Sequence, residues 1–349
     1  MTGLISCQCN ISIETIPISA ERGHTIDTKS VHLHFGSSTV LGASEIIAEA
    51  RWLEDLAFEY IAAGEHFMRG QPPGVTHATL PLLAVAAGAT ENIRLLTSIL
   101  LTPFYHPLML AKLTTTLDIA SSGRLTLGIG VGGEFPAEYE AAGIDVKSRG
   151  RITNECLLLL RKLWNGDTVT HQSDFFDLNS VAINPTPFQT PKPPIWVAGR
   201  RDAAMKRAVK YGDGWLPYFY SPERYADSVH KINNIASHES KSLDQFQWGF
   251  FPYISIYPTV EESARVAAEA LGGRYLYGGD FIDIVKNYCI LGPPKTCIER
   301  LSQYVEAGAR HIIFSVAAPS DDRARHIETI ANEIIPGLKD LYPGDTIRS

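Results

Sequence analysis

No stretch of this 349-residue chain approaches the roughly 18 uninterrupted apolar residues that a membrane-spanning helix requires. The longest candidate, Ile93 to Phe104, is broken by polar residues and by Pro103, so no membrane association is expected. Cations are scarce too, 31 Lys and Arg against 38 Asp and Glu, for a net charge of −7. Without excess positive charge the chain cannot draw affinity from counterion release, which argues against a nucleic-acid partner. Cysteine is sparse and odd in number, with Cys7, Cys9, Cys156, Cys289 and Cys297. That usage suits a reduced, cytoplasmic protein better than a disulfide framework. The Cys7–Cys9 pair has no second cluster at zinc spacing, so no metal is expected. HExxH, paired CxxC, GxSxG and Walker signatures are all missing, and simple hydrolase and zinc readings lose their usual support. Residues 1–30 lack a basic region followed by an apolar one and read as a loosely structured N-terminal extension rather than a secretory signal.

What is present is an alternation. Short β-branched apolar runs recur at Val31–Phe35, Tyr60–Ala63, Ile93–Leu100, Leu125–Ile129, Ile195–Ala198, Gly214–Leu216, Gly249–Ile256 and His311–Ser315. Between them lie stretches of helical period. Ser44 to Phe58 carries Ile46, Ile47, Ala50, Leu53 and Ala57 on one stripe behind a Ser44 N-cap, and Pro294 to Gly308 ends on a glycine cap. Eight strand–helix repeats predict a closed (β/α)8 TIM barrel rather than a doubly wound open sheet. One barrel domain is expected over residues 31–340, followed by a short tail at 341–349. Two segments break the repeat, about 168–194, dense in Pro and Asn, and about 272–292, dense in Gly and Tyr. Both are expected as insertions at the C-terminal strand ends, over the barrel mouth.

In that register the second strand delivers Gly64-Glu65-His66-Phe67 to the active-site face, where an imidazole can exchange a proton near neutral pH. His32, His34, His77, His106 and His171 read as structural. The fourth strand ends in Gly128-Ile129-Gly130-Val131-Gly132-Gly133-Glu134. Such a run lets a ligand approach the backbone, although it lacks the spacing and helix start of a dinucleotide fingerprint. After the fifth strand, Gly199-Arg200-Arg201-Asp202 precedes Lys206, Arg207 and Lys210, a local reversal of charge suited to an anion at the Gly199–Arg201 turn.

Several motifs together resemble the bacterial luciferase-like superfamily of flavin and deazaflavin oxidoreductases. They are Glu65-His66, Thr97-Ser98-Ile99-Leu100, Tyr105-His106-Pro107, Leu117-Asp118, and Ser121-Ser122-Gly123-Arg124 running through Leu125 to Gly130. The likeness continues through Gly143, Arg151, Glu155, Pro194-Ile195-Trp196-Val197-Ala198-Gly199, Gly212-Asp213-Gly214-Trp215 and Gly292-Pro293-Pro294. It implies a TIM barrel that holds reduced FMN or the 5-deazaflavin coenzyme F420 in its mouth. His66 falls on the family's active-site histidine, and the Ser98–Ile99 link falls where members carry a non-prolyl cis peptide. Gly130, Gly132, Gly133, Arg151, Gly199, Arg200, Arg201 and Trp215 join Ser98 and Ile99 as expected cofactor contacts.

The Gly-Gly-Glu turn resembles the deazaflavin-using members, and Val131 stands where luciferase-type members have a phosphate-holding arginine. The favoured expectation is therefore coenzyme F420, with hydride transfer to or from a small organic substrate. His66 would handle the proton, and Glu134 would either tune His66 or contact substrate. The alternative is an FMN-dependent two-component monooxygenase, which would call for a flavin reductase partner. A non-catalytic flavin binder is the remote alternative, and a barrel aldolase or isomerase lacks its Schiff-base lysine or metal ligands. Tyr218, Phe219, Tyr220, Tyr253, Tyr275 and Tyr277 suggest a partly aromatic pocket. Family members are often dimers, so a homodimer is an option that no motif here tests.

Overall fold

The structure, a computed structural model, describes residues 31–39, 42–69, 74–272 and 281–344. Expectations that concern residues 1–30 with Cys7 and Cys9, the tyrosines Tyr275 and Tyr277, and the last five residues lie outside that set.

Eight parallel strands close on themselves: β1 (His34–Ser38), β2 (Tyr60–Ala63), β3 (Arg94–Thr97), β4 (Leu125–Gly130), β5 (Ile195–Ala198), β6 (Gly214–Leu216), β7 (Gln247–Phe250) and β8 (His311–Val316). Closure runs through the β8–β1 pairing, which aligns His311 with His34 and Phe314 with Ser37. The (β/α)8 barrel expected from the alternation is the fold observed. Because helices cover the outside and side chains fill the inside, the strands are apolar on both faces. Tyr60, Ala62, Leu96, Trp196, Leu216 and Ile313 form one buried cluster within the barrel. The alternate residues Ile61, Leu95, Leu127, Val197, Ile312 and Phe314 join the larger core under the helices.

Those helices include α1 (Ile46–Asp55), α2 (Thr79–Ala89), α3 (Pro107–Ala120), α4 (Pro136–Ala141), α5 (Arg149–Trp164), α6 (Asp202–Tyr211), α7 (Pro222–His238), α8 (Val260–Gly272), α9 (Phe281–Tyr288) and α10 (Pro294–Glu306). Helix α1 starts two residues after Ser44 and has no side-chain cap, so the expected Ser44 cap is not formed. Among the described residues no helix is long and apolar enough to cross a membrane.

Three sequence features resolve differently from the simple repeat. The run Ile93–Leu100 is interrupted, because β3 ends at Thr97 and a two-residue strand, Leu100–Leu101, resumes after a cis Ser98–Ile99 peptide. The run Gly249–Ile256 splits into β7 and Tyr253–Ser255 around Phe251-Pro252, where proline offers no ladder N–H. The 168–194 segment forms an antiparallel hairpin, Val169–Gln172 with Asp177–Val181. It joins the end of α5 to the start of β5, so its roots lie at the face opposite the mouth. His171 bonds Glu155 at 2.8 Å, Phe175 lies under the Arg151 guanidinium, and Lys112 Nζ donates to the Asn184 carbonyl at 2.7 Å. Those contacts lay the segment along the outside of α3 and α5 rather than over the mouth. Of the 272–292 segment, the described part carries α9, which packs against α8.

The Ser121-Ser122-Gly123-Arg124 motif has a structural task. Gly123 takes φ +83°, and the Arg124 guanidinium donates to the carbonyls of Ala87, Thr90, Ile93 and Ser121 at 2.8–3.1 Å. One side chain thus satisfies the exposed ends of two helices and a strand entry.

The lower layer of the barrel is polar. His311 Nδ1 stands 3.3 Å from the Tyr60 hydroxyl, its ring stacks on His34 at 4.4 Å, and Trp196 Nε1 donates to Gln247 at 2.5 Å. Burial, helped by the charges of His34, Arg94 and His32, pulls the His311 pKa down to about 3, so the ring is neutral in the fold. An unfolded histidine binds its proton near pH 6.5, so between these values the unfolded chain holds one proton more. Stability from this group is therefore complete above about pH 6.5 and is lost as pH falls toward 3, at up to roughly 1.4 kcal/mol per pH unit. Denaturant unfolding at neutral and mildly acidic pH should show a shallower decline for His311→Gln than for the wild type. Equal slopes would refute the neutral-ring assignment.

Candidate functional site

The mouth is shaped by the way the end of β3 threads between its neighbours. A Cβ on Gly64, just past β2, would lie 3.0 Å from the Ser98 carbonyl. On Gly128 it would lie 2.0 Å from the Thr97 carbonyl, and on Gly130 1.8 Å from Ile99 Cδ1. The glycine run was expected to admit a ligand to the backbone. At Gly128 and Gly130 the space is instead taken by the chain's own Thr97 and Ile99; a larger residue at Gly128 would push β3 from β4, and one at Gly130 would displace the Ile99 side chain. The result leaves Ser98 at the mouth with its Oγ buried and without a protein hydrogen-bond partner.

Past Gly64, Glu65 turns back into the scaffold. Its carboxylate accepts from the Tyr105 hydroxyl at 2.7 Å and from the N–H groups of Leu101 and Thr79 at 3.2 and 3.4 Å. Burial pushes its pKa up against the opposing pull of those donors. His66 is left as the titratable group of this turn that faces outward, with its side chain 21% exposed.

His66 Nδ1 stands 3.3 Å from Glu138 Oε1, and the edge of the Phe135 ring meets the imidazole at 4.9 Å. Glu138 Oε2 accepts from the N–H groups of Phe67 and Met68 at 3.1 and 3.4 Å, and its side chain is completely buried. The sequence reading offered Glu134 for tuning His66, and here the structure corrects it. Helix α4 starts at Pro136, which turns Glu138 inward, whereas Glu134 precedes the helix, is exposed, and accepts from the Tyr218 hydroxyl. The available signal was an acidic residue two places after a proline at a short helix start.

Gly132 and Gly133 take φ +57° and +103°, a left-handed pair that reverses the chain after β4. A Cβ on Gly133 would lie 2.9 Å from Arg149 Nε, and that nitrogen is buried with no acceptor in the protein. Arg149 was missed in the sequence because Arg151, two residues on, fits the family pattern. Arg151 is exposed, its guanidinium covers Phe175, and it donates to Ser148 Oγ at 3.1 Å, so it faces the hairpin rather than the mouth.

The Gly199–Arg201 turn is held from behind. Gly199 has φ +130°, its carbonyl accepts from Trp215 Nε1 at 2.9 Å, and the Arg200 carbonyl accepts from the Tyr220 hydroxyl at 3.0 Å. Trp215 is fully buried against Tyr220 and Tyr225 and supports the turn from behind. The Arg200 guanidinium sits 4.9 Å above the Tyr218 ring, which links Glu134, Tyr218 and Arg200 in one chain across the end of β5. Arg201 is exposed at the N-cap of α6. The cation cluster divides further, because Arg207 is buried, donates to Asn154 and the Gly150 carbonyl, and has its pKa lowered by that burial. Among the described residues no group of three or more His, Cys, Asp or Glu could hold a metal ion.

The luciferase-like monooxygenase family model matches residues 28–311. The chain belongs to this family. It is 27% identical over 318 residues to the oxygenase component of the flavin-dependent trigonelline monooxygenase of Acinetobacter baylyi, covering 80% of this chain and 85% of that protein. It is 25% identical over 332 residues to the F420-dependent glucose-6-phosphate dehydrogenase of Intrasporangium calvum, covering 87% and 98%. An F420-dependent secondary alcohol dehydrogenase superposes with a TM-score of 0.76 at 19% identity, covering 88% of this chain and 99% of that one. A monooxygenase from Streptomyces bottropensis gives 0.75 at 23%, covering 87% and 99%. At these identities the two structures establish the fold. Relatives of both cofactor types place the chain among flavin- or F420-dependent oxidoreductases.

Gly128→Ala should destabilise the fold by about 1–3 kcal/mol or more, because its Cβ would meet a backbone carbonyl that cannot rotate away. Gly88→Ala on α2, where nothing lies within 4 Å, should be neutral or slightly stabilising. Denaturant midpoints for the pair test the threading directly, and equal effects would contradict it.

Proposed function

We propose that the chain is a coenzyme F420-dependent oxidoreductase, moving a hydride between the deazaflavin and a small organic substrate. The observation that carries this reading is a histidine seated on a buried carboxylate at the barrel mouth, beside a turn with unanswered buried donors. When bound, the deazaflavin supplies hydride chemistry at its ring carbon five. His66 would take up or return the proton that accompanies that hydride at the substrate oxygen. The small residues Gly64 and Ser98 would line one face of the ring, with the orphaned Ser98 Oγ free to bond it. Arg149, with its unanswered Nε, and Arg200 at the Gly199 turn would neutralise phosphate charge. Glu134 and Tyr218, bonded to each other, would border the substrate side.

The second reading, an FMN-dependent monooxygenase working with a separate reductase, is supported by the 27% identity to an oxygenase component. In that case His66 and the closed turns would serve to exclude water. A homodimer through α2 and α3 is consistent with their outer faces, where Pro81, Ala84, Val85 and Gly88 adjoin Met109 and Leu113, all exposed.

Anaerobic incubation with oxidised F420 and a panel of sugar phosphates and secondary alcohols should bleach the coenzyme with at least one substrate. His66→Ala should cut that turnover by about 10²–10⁴-fold while leaving coenzyme affinity near the wild-type value. Arg149→Gln should do the reverse, weakening coenzyme binding more than turnover of the bound form. An oxygenated product formed from reduced FMN, oxygen and substrate, with no bleaching of F420, would favour the monooxygenase.

A further inference from the structure

The contact beneath His66 decides which ring nitrogen is available for chemistry. We propose that Glu138 is a positioning residue that holds His66 in the tautomer protonated on Nδ1, leaving Nε2 as the atom that exchanges the proton. The inference rests on the reading of His66 given above and deepens it.

A carboxylate only accepts hydrogen bonds, so a neutral imidazole that bonds it must donate. Oε1 lies 3.3 Å from Nδ1, so the hydrogen belongs on Nδ1 and the lone pair on Nε2. The carboxylate cannot swing aside, because Oε2 is already fixed by the N–H groups of Phe67 and Met68, the two residues that follow His66. One buried side chain thus locks both the loop and the ring it carries. The neighbouring carboxylates are engaged elsewhere, Glu65 by Leu101, Thr79 and Tyr105 and Glu134 by Tyr218. Phe135 closes the ring's flank edge-on, at 90°.

Glutamine at this position separates orientation from bulk. In Glu138→Gln the two backbone N–H groups still require an acceptor, so the amide oxygen turns to them and the amide NH2 turns to His66. Nδ1 must then accept, and the tautomer inverts to Nε2–H. Glu138→Asp remains acceptor-only and should retain Nδ1–H.

The test is nitrogen-15 NMR of protein labelled on histidine, with the His66 signals assigned by their loss in His66→Ala, at a pH where the ring is neutral. The expected result is a protonated Nδ1 in the wild type and in Glu138→Asp, and a protonated Nε2 in Glu138→Gln. Turnover in Glu138→Gln should fall by about 10-fold to 100-fold, the scale of a lost orienting partner. A wild-type His66 protonated on Nε2, or an unchanged tautomer in Glu138→Gln, would overturn the proposal. With His66 assigned, the wild-type spectrum decides even if a Glu138 variant fails to fold. If His66→Ala kept full turnover, the functional reading would fall, while the tautomer would still report on Glu138.

Discussion

The close approach of the β3 end to its two neighbours is the constraint on which the rest of the mouth depends. Gly64 on one side and Gly128 and Gly130 on the other leave room for the Ser98 and Thr97 carbonyls and the Ile99 side chain, and no other residue type fits between them without displacement. That threading sets Ser98 at the floor of the mouth and brings the turns after β2, β3 and β4 side by side. It also places Glu65 where it can gather Leu101 and Tyr105, so the end of β3 is anchored from the β2 turn. The charged groups are then arranged around a frame that is already rigid.

Each carboxylate and guanidinium near that frame has a separate task. Glu65 holds scaffold, Glu138 holds His66, and Glu134 reaches Tyr218. Arg124 caps helix ends at the opposite face, Arg207 ties α6 to α5, and Arg149 and Arg200 stay near the turns that close the mouth. A buried acceptor-only group behind an imidazole and buried donors without protein acceptors are complementary features. In the proposed reading the first would orient a proton and the second would receive an anion.

Much of this was legible before any coordinates. Strand–helix alternation indicated eight units, and the runs ending before Gly64 and Gly199 marked two strand ends correctly, because barrel strands buried on both faces leave an unbroken apolar signal, whereas the third run hid the break at Ser98 for the same reason. What was hidden depends on contacts distant in sequence. Glu138 is separated from His66 by 72 residues, and its place two residues after Pro136 marks it as an acidic residue of a first helical turn without naming the partner it meets. Arg149 and Arg151 differ only in which side of α5 they leave, and the burial of Trp215 against Tyr220 and Tyr225 shows only in the fold. The 168–194 segment misled for another reason, since its proline content marks an irregular path without saying at which end of the barrel it begins.

The most direct measurement of the central claim is parallel titration of the purified protein with oxidised F420 and with oxidised FMN, followed by fluorescence quenching at several salt concentrations. The account predicts tight F420 binding that weakens as salt screens Arg149 and Arg200, with FMN far weaker. Tight binding of FMN alone, or of neither compound, would contradict it.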